Sequence, residues 1–394
     1  MNLIETSASA AMSERAREMK ADGVDVIALS SGQPDFPTPD HVIDAANAAA
    51  KRGETKYTTT SGSIELKDAV IEKFERENSL TFGRDEIIVG NGAKQVLFNA
   101  VMAWTGVGDE IILPAPYYIP YLDMIRFAEG KAVIVTCGAD QNFKLTPKQL
   151  AEAITPKTRW LLLNSPSNPT GAVYEEEDLR ALADVLLNHP GVGVITDDIY
   201  EHITFDGLKF ATIAQVEPRL RDRTVTINGV SKAYAMTGWR VGYAGTTAEM
   251  VLQMTKLQSL VTSGASSIGQ AASIAALQGP QDFLKDRARS FEERRDLIVS
   301  MLNQATGLSC PTPKGAFYVY PSCAGVIGRK TPSGQVIEND QEFVQYLLET
   351  ENVAAVHGAV YGVSPHFRIS YASSVEELTE ACTRIQRACA ALTD

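Results

Sequence analysis

NGVSKAYAMTGWRVGYAG, residues 228–245, continues the alternating stretch TVTING (224–229) and sets Lys232 eight residues before Arg240. The alternation reads as a strand, so Lys232 falls in the loop just past its end. Ser231 and Thr237 add short hydroxyls, and Gly238, Gly242 and Gly245 permit close backbone approach. Chemistry that runs through an imine needs a lysine held rigidly and kept partly deprotonated by a cationic, phosphate-bearing pocket. One lysine among 36 Lys and Arg residues is by default a solvated charge, so its setting after a strand has to carry the reading.

Outward from this stretch, short apolar runs recur: VDVIAL (24–29), EIIVG (86–90), EIILPA (110–115), AVIVTC (132–137), WLLLN (160–164), VGVITDD (192–198) and TVTIN (224–228). Each reads as a buried strand. Amphipathic helical patterns lie between most of them, including AKQVLFNAVMAW (93–104) and EEEDLRALADVLLNH (175–189). The alternation predicts an α/β fold with a mainly parallel sheet covered on both faces, and ligands bound beyond the carboxyl ends of its strands. After the helical stretch 282–304 the pattern changes to GAFYVYPS (315–322), a helix near 341–350, HFRISYA (366–372) and a final helix. That tail reads as a smaller α/β domain with the N-terminal arm packed beside it. The expected parts are 1–40 (arm and part of the small domain), 41–285 (large domain) and 286–394 (small C-terminal domain).

Composition narrows the function classes. A chain of 394 residues, 44% hydrophobic and 21% charged, has material for a large core and, at ~150 residues per domain, for two or three units. A net charge of -12 without a basic stripe argues against a nucleic-acid partner. Cys137, Cys310, Cys323, Cys382 and Cys389 are odd in number and lack CxxC spacing, which disfavours a disulfide framework or a zinc site. His41, His189, His202, His357 and His366 form no metal-binding pattern. The N-terminus lacks the charged start and apolar core of an export signal, and no long apolar run appears, so a cytoplasmic location without membrane contact is expected.

The loops after the strands hold the remaining chemistry. GNGAK (90–94) opens a helix, where the N–H groups of Gly92, Ala93 and Lys94 can cradle a phosphate; a plain structural turn explains the glycines equally well. NSPSNPTGAVY (164–174) contains Asn168-Pro169 and Thr170-Gly171, ordinary turn chemistry taken alone. TDDIYEH (196–202) ends a strand with two acids, which a helix N-cap also explains. Arg368 sits inside a strand suited to burial, and a buried arginine needs an anion, whether a structural carboxylate or a ligand.

SSGQPDF (30–36), GETKYT (53–58), GNGAKQVLFNA (90–100), APYY (115–118), NSPSNPTG (164–171), TDDIYEH (196–202), SKAYAMTGWR (231–240), GAFYVYP (315–321) and FRISYA (367–372) span essentially the whole chain. In this set the protein resembles class I, fold type I aminotransferases, which use pyridoxal 5'-phosphate (PLP), and within them the bacterial aspartate and prephenate enzymes. The resemblance implies a large domain built on a mainly parallel seven-stranded sheet, with a smaller α/β domain. It implies that Lys232 carries PLP as an imine and shuttles the catalytic proton. Arg240 and Ser231 hold the phosphate with the turn at Gly92, Ala93 and Lys94. Asn168 and Tyr200 touch the phenolic oxygen. Asp197, three residues before Tyr200, faces the pyridine nitrogen, with Asp198 as the fallback. Arg368 clamps the substrate's α-carboxylate beside the N–H of Gly32, Lys94 helps hold a distal carboxylate, and Asn168 and Tyr118 line the substrate. Tyr57 reaches the phosphate of a neighbouring subunit in a homodimer, although by itself it is equally an ordinary packed aromatic.

The expected reaction moves an amino group between an L-amino acid, aspartate first, and 2-oxoglutarate in a ping-pong cycle. Three departures from the family pattern bear on substrate. Tyr118 stands where a tryptophan usually stacks on the cofactor ring, Glu5 stands where prephenate-using relatives carry a lysine, and LQSLVTSGASS (257–267) is less polar than expected. Aromatic, neutral or prephenate-type substrates are therefore the alternative, as is a PLP-dependent β-lyase or decarboxylase sharing Lys232, Asp197 and Asn168. A PLP-binding regulator would need a basic helix-turn-helix segment, and a nicotinamide dehydrogenase a GxGxxG turn; neither is present.

Overall fold

The computed structural model of the protein describes residues 8–394, so Glu5 lies outside the described residues. Its strands in chain order are β1 Ile27–Ala28, β2 Ile87–Gly90, β3 Glu110–Ala115, β4 Lys131–Thr136, β5 Thr158–Asn164, β6 Gly193–Asp197, β7 Thr224–Gly229, β8 Gly242–Gly245, β9 Tyr318–Val319, β10 Val353–Ala354, β11 Val356–His357 and β12 Phe367–Ser370. Seven of them form one sheet in the order β2-β8-β7-β6-β5-β3-β4. Strands β7, β6, β5, β3 and β4 pair in parallel, and only β8 runs against its neighbours β7 and β2.

Successive side chains on a strand point to opposite faces, and both faces here are covered. Ile111 and Leu113 pack with Val96, Leu97 and Met254 from the helices Ala93–Trp104 and Ala248–Val261. Ile112, between them, packs with Leu179, Leu182 and Leu186 from the helix Glu176–Leu187. A sheet enclosed in this way puts its polar work at the strand ends, and β5 and β6 finish on Asn164 and Asp197.

A second core gathers Phe317, Phe343, Ile369, Ile385 and Phe291 around the three-stranded antiparallel sheet β11-β12-β9. The helices Asp282–Leu302, Asp340–Glu351 and Val375–Ala390 supply its cover. The N-terminal helix Ala8–Ala21 joins here, with Ala16 packed among Val26, Leu348 and Ala354.

Three strand expectations need correction. VDVIAL contributes only Ile27–Ala28, which pairs in parallel with β10 beside the small sheet instead of entering the large one. The seventh strand of the large sheet is β8, GYAG, whose glycines mask any strand signal. It needs them: a Cβ on Gly242 would collide with the backbone of Ala93 at the start of the helix Ala93–Trp104. The apolar run AVIVTC predicts a buried strand, yet β4 is the edge strand and leaves Ile134 45% exposed. Among the described residues no helix is long and apolar enough to cross a membrane.

Candidate active site

A cavity of about 530 Å³ opens beyond the carboxyl ends of β3, β5, β6 and β7, with Tyr318 of β9 and Arg368 of β12 on its far wall. Lys232 enters it from the loop after β7, together with Ser231. Its Nζ donates to the Gly32 carbonyl at 2.6 Å and lies 5.7 Å from the Tyr200 ring centre. Burial pulls the lysine down to about 8, the cations of Lys94, Arg240 and Arg368 push the same way, and Asp197 opposes them. A lysine so placed is a nucleophile at moderately alkaline pH.

Asp197 ends β6 and lines the cavity. Burial raises its carboxyl above the usual range, against the pull of a 2.7 Å hydrogen bond from the Tyr121 hydroxyl, the Ile199 amide and the Lys232 charge. Asp198 is excluded as the fallback, because its side chain takes the Thr196 hydroxyl and does not line the cavity. Tyr200, 4% exposed, shares a 2.9 Å hydroxyl contact with Tyr318.

Arg368 is 2% exposed, and its Nη1 and Nη2 donate to Asn168 Oδ1 at 3.0 Å and the Ser30 carbonyl at 2.6 Å. Asn168 is fixed in turn by its amide, which donates to Asn164 Oδ1 at 2.8 Å. Lys94, also on the cavity lining, extends its Nζ over the Tyr118 ring, 5.5 Å from the centre.

At the mouth, Arg240 adopts a left-handed backbone and donates to the carbonyls of Thr237 and Asn91 at 2.9 and 3.2 Å. Its guanidinium lies where a side chain at Gly92 would begin, and Gly92 itself has φ +82°. The amides of Ala93 and Lys94 open the helix beside it, where first-turn N–H groups have no intrahelical acceptor. The expectation for Gly92 needs revision. Its N–H donates to the Gly90 carbonyl at 2.8 Å and it does not line the cavity, so its contribution is room for Arg240.

The cavity therefore gathers Gly32, Ala93, Lys94, Tyr118 and Asn168 with Asp197, Tyr200, Ser231, Lys232, Arg240 and Arg368. Gly32 presents its carbonyl to Lys232. Tyr57 lies outside its own chain's cavity and is 94% exposed, on a loop that Gln270 ties down through Thr58 at 2.9 Å. Sequence reasoning missed Tyr121, Tyr318 and Asn164. Tyr318 and Asn164 stand in quoted segments and Tyr121 three residues past APYY, as hydroxyl-bearing rings or a polar strand end where apolar bulk would have sufficed. Ser13 also lines the cavity, and its 2.9 Å contact with the Ser30 hydroxyl depends on how the N-terminal helix docks, for which the sequence holds no signal.

A parallel sheet carrying an activated lysine, a buried acid and an anion cradle at a helix start defines a PLP enzyme of fold type I. The model of the family described as "Aminotransferase class I and II" matches residues 24–385, and the chain belongs to that family. It is 54% identical over 391 residues, 99% of this chain and 98% of the relative, to a "Probable aspartate/prephenate aminotransferase" of Rhizobium leguminosarum bv. phaseoli. An "Aspartate aminotransferase" of Rhizobium meliloti (strain 1021) is 56% identical over 375 residues, 95% of this chain and 92% of the relative. Among solved structures, the aspartate aminotransferase from Rhizobium meliloti aligns with a TM-score of 0.97 at 55% identity, covering 100% of this chain and 98% of that one. The enzyme from Thermus thermophilus with maleate aligns with a TM-score of 0.92 at 38% identity, covering 98% of both chains. The protein is thus an aminotransferase, and its cofactor is pyridoxal 5'-phosphate.

Proposed function

We propose that the chain moves the amino group of aspartate to 2-oxoglutarate, with the first oxo acid leaving before the second binds. One observation carries this choice of substrate: the cavity of Lys232 is lined by two further cations, Arg368 from β12 and Lys94 with its Nζ over the Tyr118 ring, and both act on Lys232. An amino acid with carboxylates at both ends matches that layout, since a few local cations outweigh a distant net charge of -12. The names of the Rhizobium relatives support the same reading, and one of them extends it to prephenate.

The residues present fit PLP. The vacancy at Gly92 that admits the Arg240 guanidinium, next to the amides of Ala93 and Lys94 and near the Ser231 hydroxyl, is suited to a phosphate dianion. Asn168 and Tyr200 would meet the phenolic oxygen and Asp197 the ring nitrogen. The cofactor supplies an electron sink for the pair released at the substrate's Cα. Arg368 binds the α-carboxylate and Lys94 the distal one. Lys232, neutral above pH about 8, would take the proton from Cα and deliver it to the carbon that carries the cofactor's aldehyde group. Asp197 stabilises the positive ring, and the aromatic walls Tyr118 and Tyr200 exclude water from the reacting atoms.

The same reading assigns residues 1–40 to an arm and part of the small domain, 41–285 to the large domain and 286–394 to the small one, and puts the protein in the cytoplasm. It also makes the protein a homodimer. Tyr57 at 94% exposed, with Leu260 at 84% and Val261 at 66%, leaves apolar surface on segments joined by the hydrogen bond from Gln258 to the Thr60 carbonyl, as a contact with a second copy requires. From there Tyr57 would reach the partner's phosphate.

A half-reaction screen tests the substrate. The holoenzyme is mixed with one amino acid at a time, and oxo acid formation is followed with the loss of the cofactor's aldehyde-bound absorbance. Fast turnover with both aspartate and glutamate is expected. Turnover with glutamate and aromatic or neutral amino acids but not aspartate would reassign the specificity to Tyr118 and its surroundings, and product formed in excess over enzyme with the aldehyde-bound absorbance retained would indicate a lyase.

A further inference from the structure

The acid assigned to the cofactor's ring nitrogen has one side-chain hydrogen-bond donor among the described residues. The Tyr121 hydroxyl lies 2.7 Å from Asp197 Oδ2, with Tyr121 at 1% and Asp197 at 8% exposed. The other donor to this carboxylate among the described residues is the Ile199 amide, at 3.4 Å from Oδ1. Tyr121 itself has little freedom. It belongs to the helix Pro120–Phe127 after β3, its ring meets that of Tyr118 edge-on at 5.3 Å, and it packs in the core that covers one face of the large sheet.

We propose that Tyr121 is a positioning residue of the reaction, one that orients the Asp197 carboxylate and holds it ionised toward a cationic ring nitrogen. The proposal rests on the role assigned to Asp197 above. Burial alone favours a protonated acid, and a protonated Asp197 offers a ring cation no counter-charge. The groups near Asp197 are Lys232, whose charge favours ionisation, the neutral phenol of Tyr200, and Asp198, which is turned to Thr196. Tyr121 is itself pushed well above the usual tyrosine range, first by burial and then by Asp197, so it remains a donor at any working pH. A phenylalanine would keep the ring packing and delete the donor, leaving a buried carboxylate with one long amide bond.

Tyr121→Phe, Asp197→Asn and the parent holoenzyme, each loaded with PLP carrying nitrogen-15 in its ring, separate the possibilities. The nitrogen resonance reports ring protonation without reference to turnover. Expected is a protonated ring in the parent, an unprotonated one in Asp197→Asn, and an intermediate shift in Tyr121→Phe. The acid limb of the Tyr121→Phe half-reaction should also move up by about one pH unit, so that its rate deficit of roughly tenfold closes as pH rises. A parent-like resonance in Tyr121→Phe, or a rate loss independent of pH, overturns the proposal while Asp197 keeps its role if Asp197→Asn has shifted. A parent-like resonance in Asp197→Asn overturns the role of Asp197 itself and the proposal with it.

Discussion

The hydroxyls of Tyr200 and Tyr318 lie 2.9 Å apart, although one follows β6 of the large sheet and the other belongs to β9 of the small one. Tyr318 also carries the Arg368 guanidinium 4.8 Å above its ring, an attractive cation–aromatic contact. One side chain thus touches both the arginine expected to clamp carboxylate and the phenol expected to meet the cofactor.

Replacing that phenol, Tyr318→Phe, removes one hydroxyl at constant shape and leaves the buried Tyr200 hydroxyl without its partner. The apoprotein should lose about 1–3 kcal/mol. Because bound PLP would offer Tyr200 a new acceptor, the deficit should shrink in the holoenzyme. Paired apo and holo melting curves check this, and equal deficits would remove Tyr200 from the cofactor site.

Lys232 makes a prediction with a defined pH sense. Its pKa is lowered from 10.5 to about 8, so the neutral amine appears as pH rises through about 8, more than two units before an ordinary lysine. Capture of PLP by the apoprotein, followed by stopped-flow absorbance, should accelerate through that range. Borohydride reduction should then leave the cofactor's mass on the peptide containing Lys232. In Lys232→Ala the trapped mass should vanish and the half-reaction slow by a factor of about 10²–10⁴ or more.

Arg368 and Lys94 should separate in kinetics. Arg368→Lys trades a planar fork for a point charge and should cost every amino acid substrate about 10- to 100-fold in kcat/KM. Lys94→Ala should lower kcat/KM for aspartate and glutamate by a similar factor while sparing alanine and phenylalanine. Equal losses on all four would dissociate Lys94 from the distal carboxylate.

Gly92→Ala places a methyl group where the Arg240 guanidinium now lies, at a backbone φ of +82° that side chains disfavour. PLP should bind at least about tenfold more weakly, by titration of the apoprotein, with lesser change in binding of amino acids to the enzyme that does load.

For the homodimer, sedimentation should report twice the 42.6 kDa chain mass. Leu260→Asp, at an 84% exposed position that a folded monomer tolerates, should shift the species toward the single-chain mass and lower activity with it.

Much of the site was legible because its chemistry needs fixed residue types at fixed local spacings. Lys232 with Arg240, Asp197 with Tyr200, and the run Gly92-Ala93-Lys94 each lie within one short stretch of chain, and all but Gly92 reach the same cavity. The preference for Asp197 over Asp198 followed from the family resemblance, and in the structure Asp197 lines the cavity while Asp198 takes the Thr196 hydroxyl. What escaped was nonlocal. Tyr121 and Asp197 are 76 residues apart, Tyr200 and Tyr318 are 118 apart, and no periodicity encodes which hydroxyl meets which partner.

The sequence by itself determined the class of chemistry, the lysine and arginine proposed for cofactor and carboxylate, and the alternation of strands and helices, since each depends on local order along the chain. Only the tertiary structure decided that Ile27–Ala28 pairs with β10 beside the small sheet, that the glycine-rich β8 completes the large one antiparallel, and that the Tyr121 hydroxyl donates to Asp197. Strand pairing and buried hydrogen bonds are settled by which surfaces and polar groups must be satisfied together, and that is a property of the packed chain as a whole.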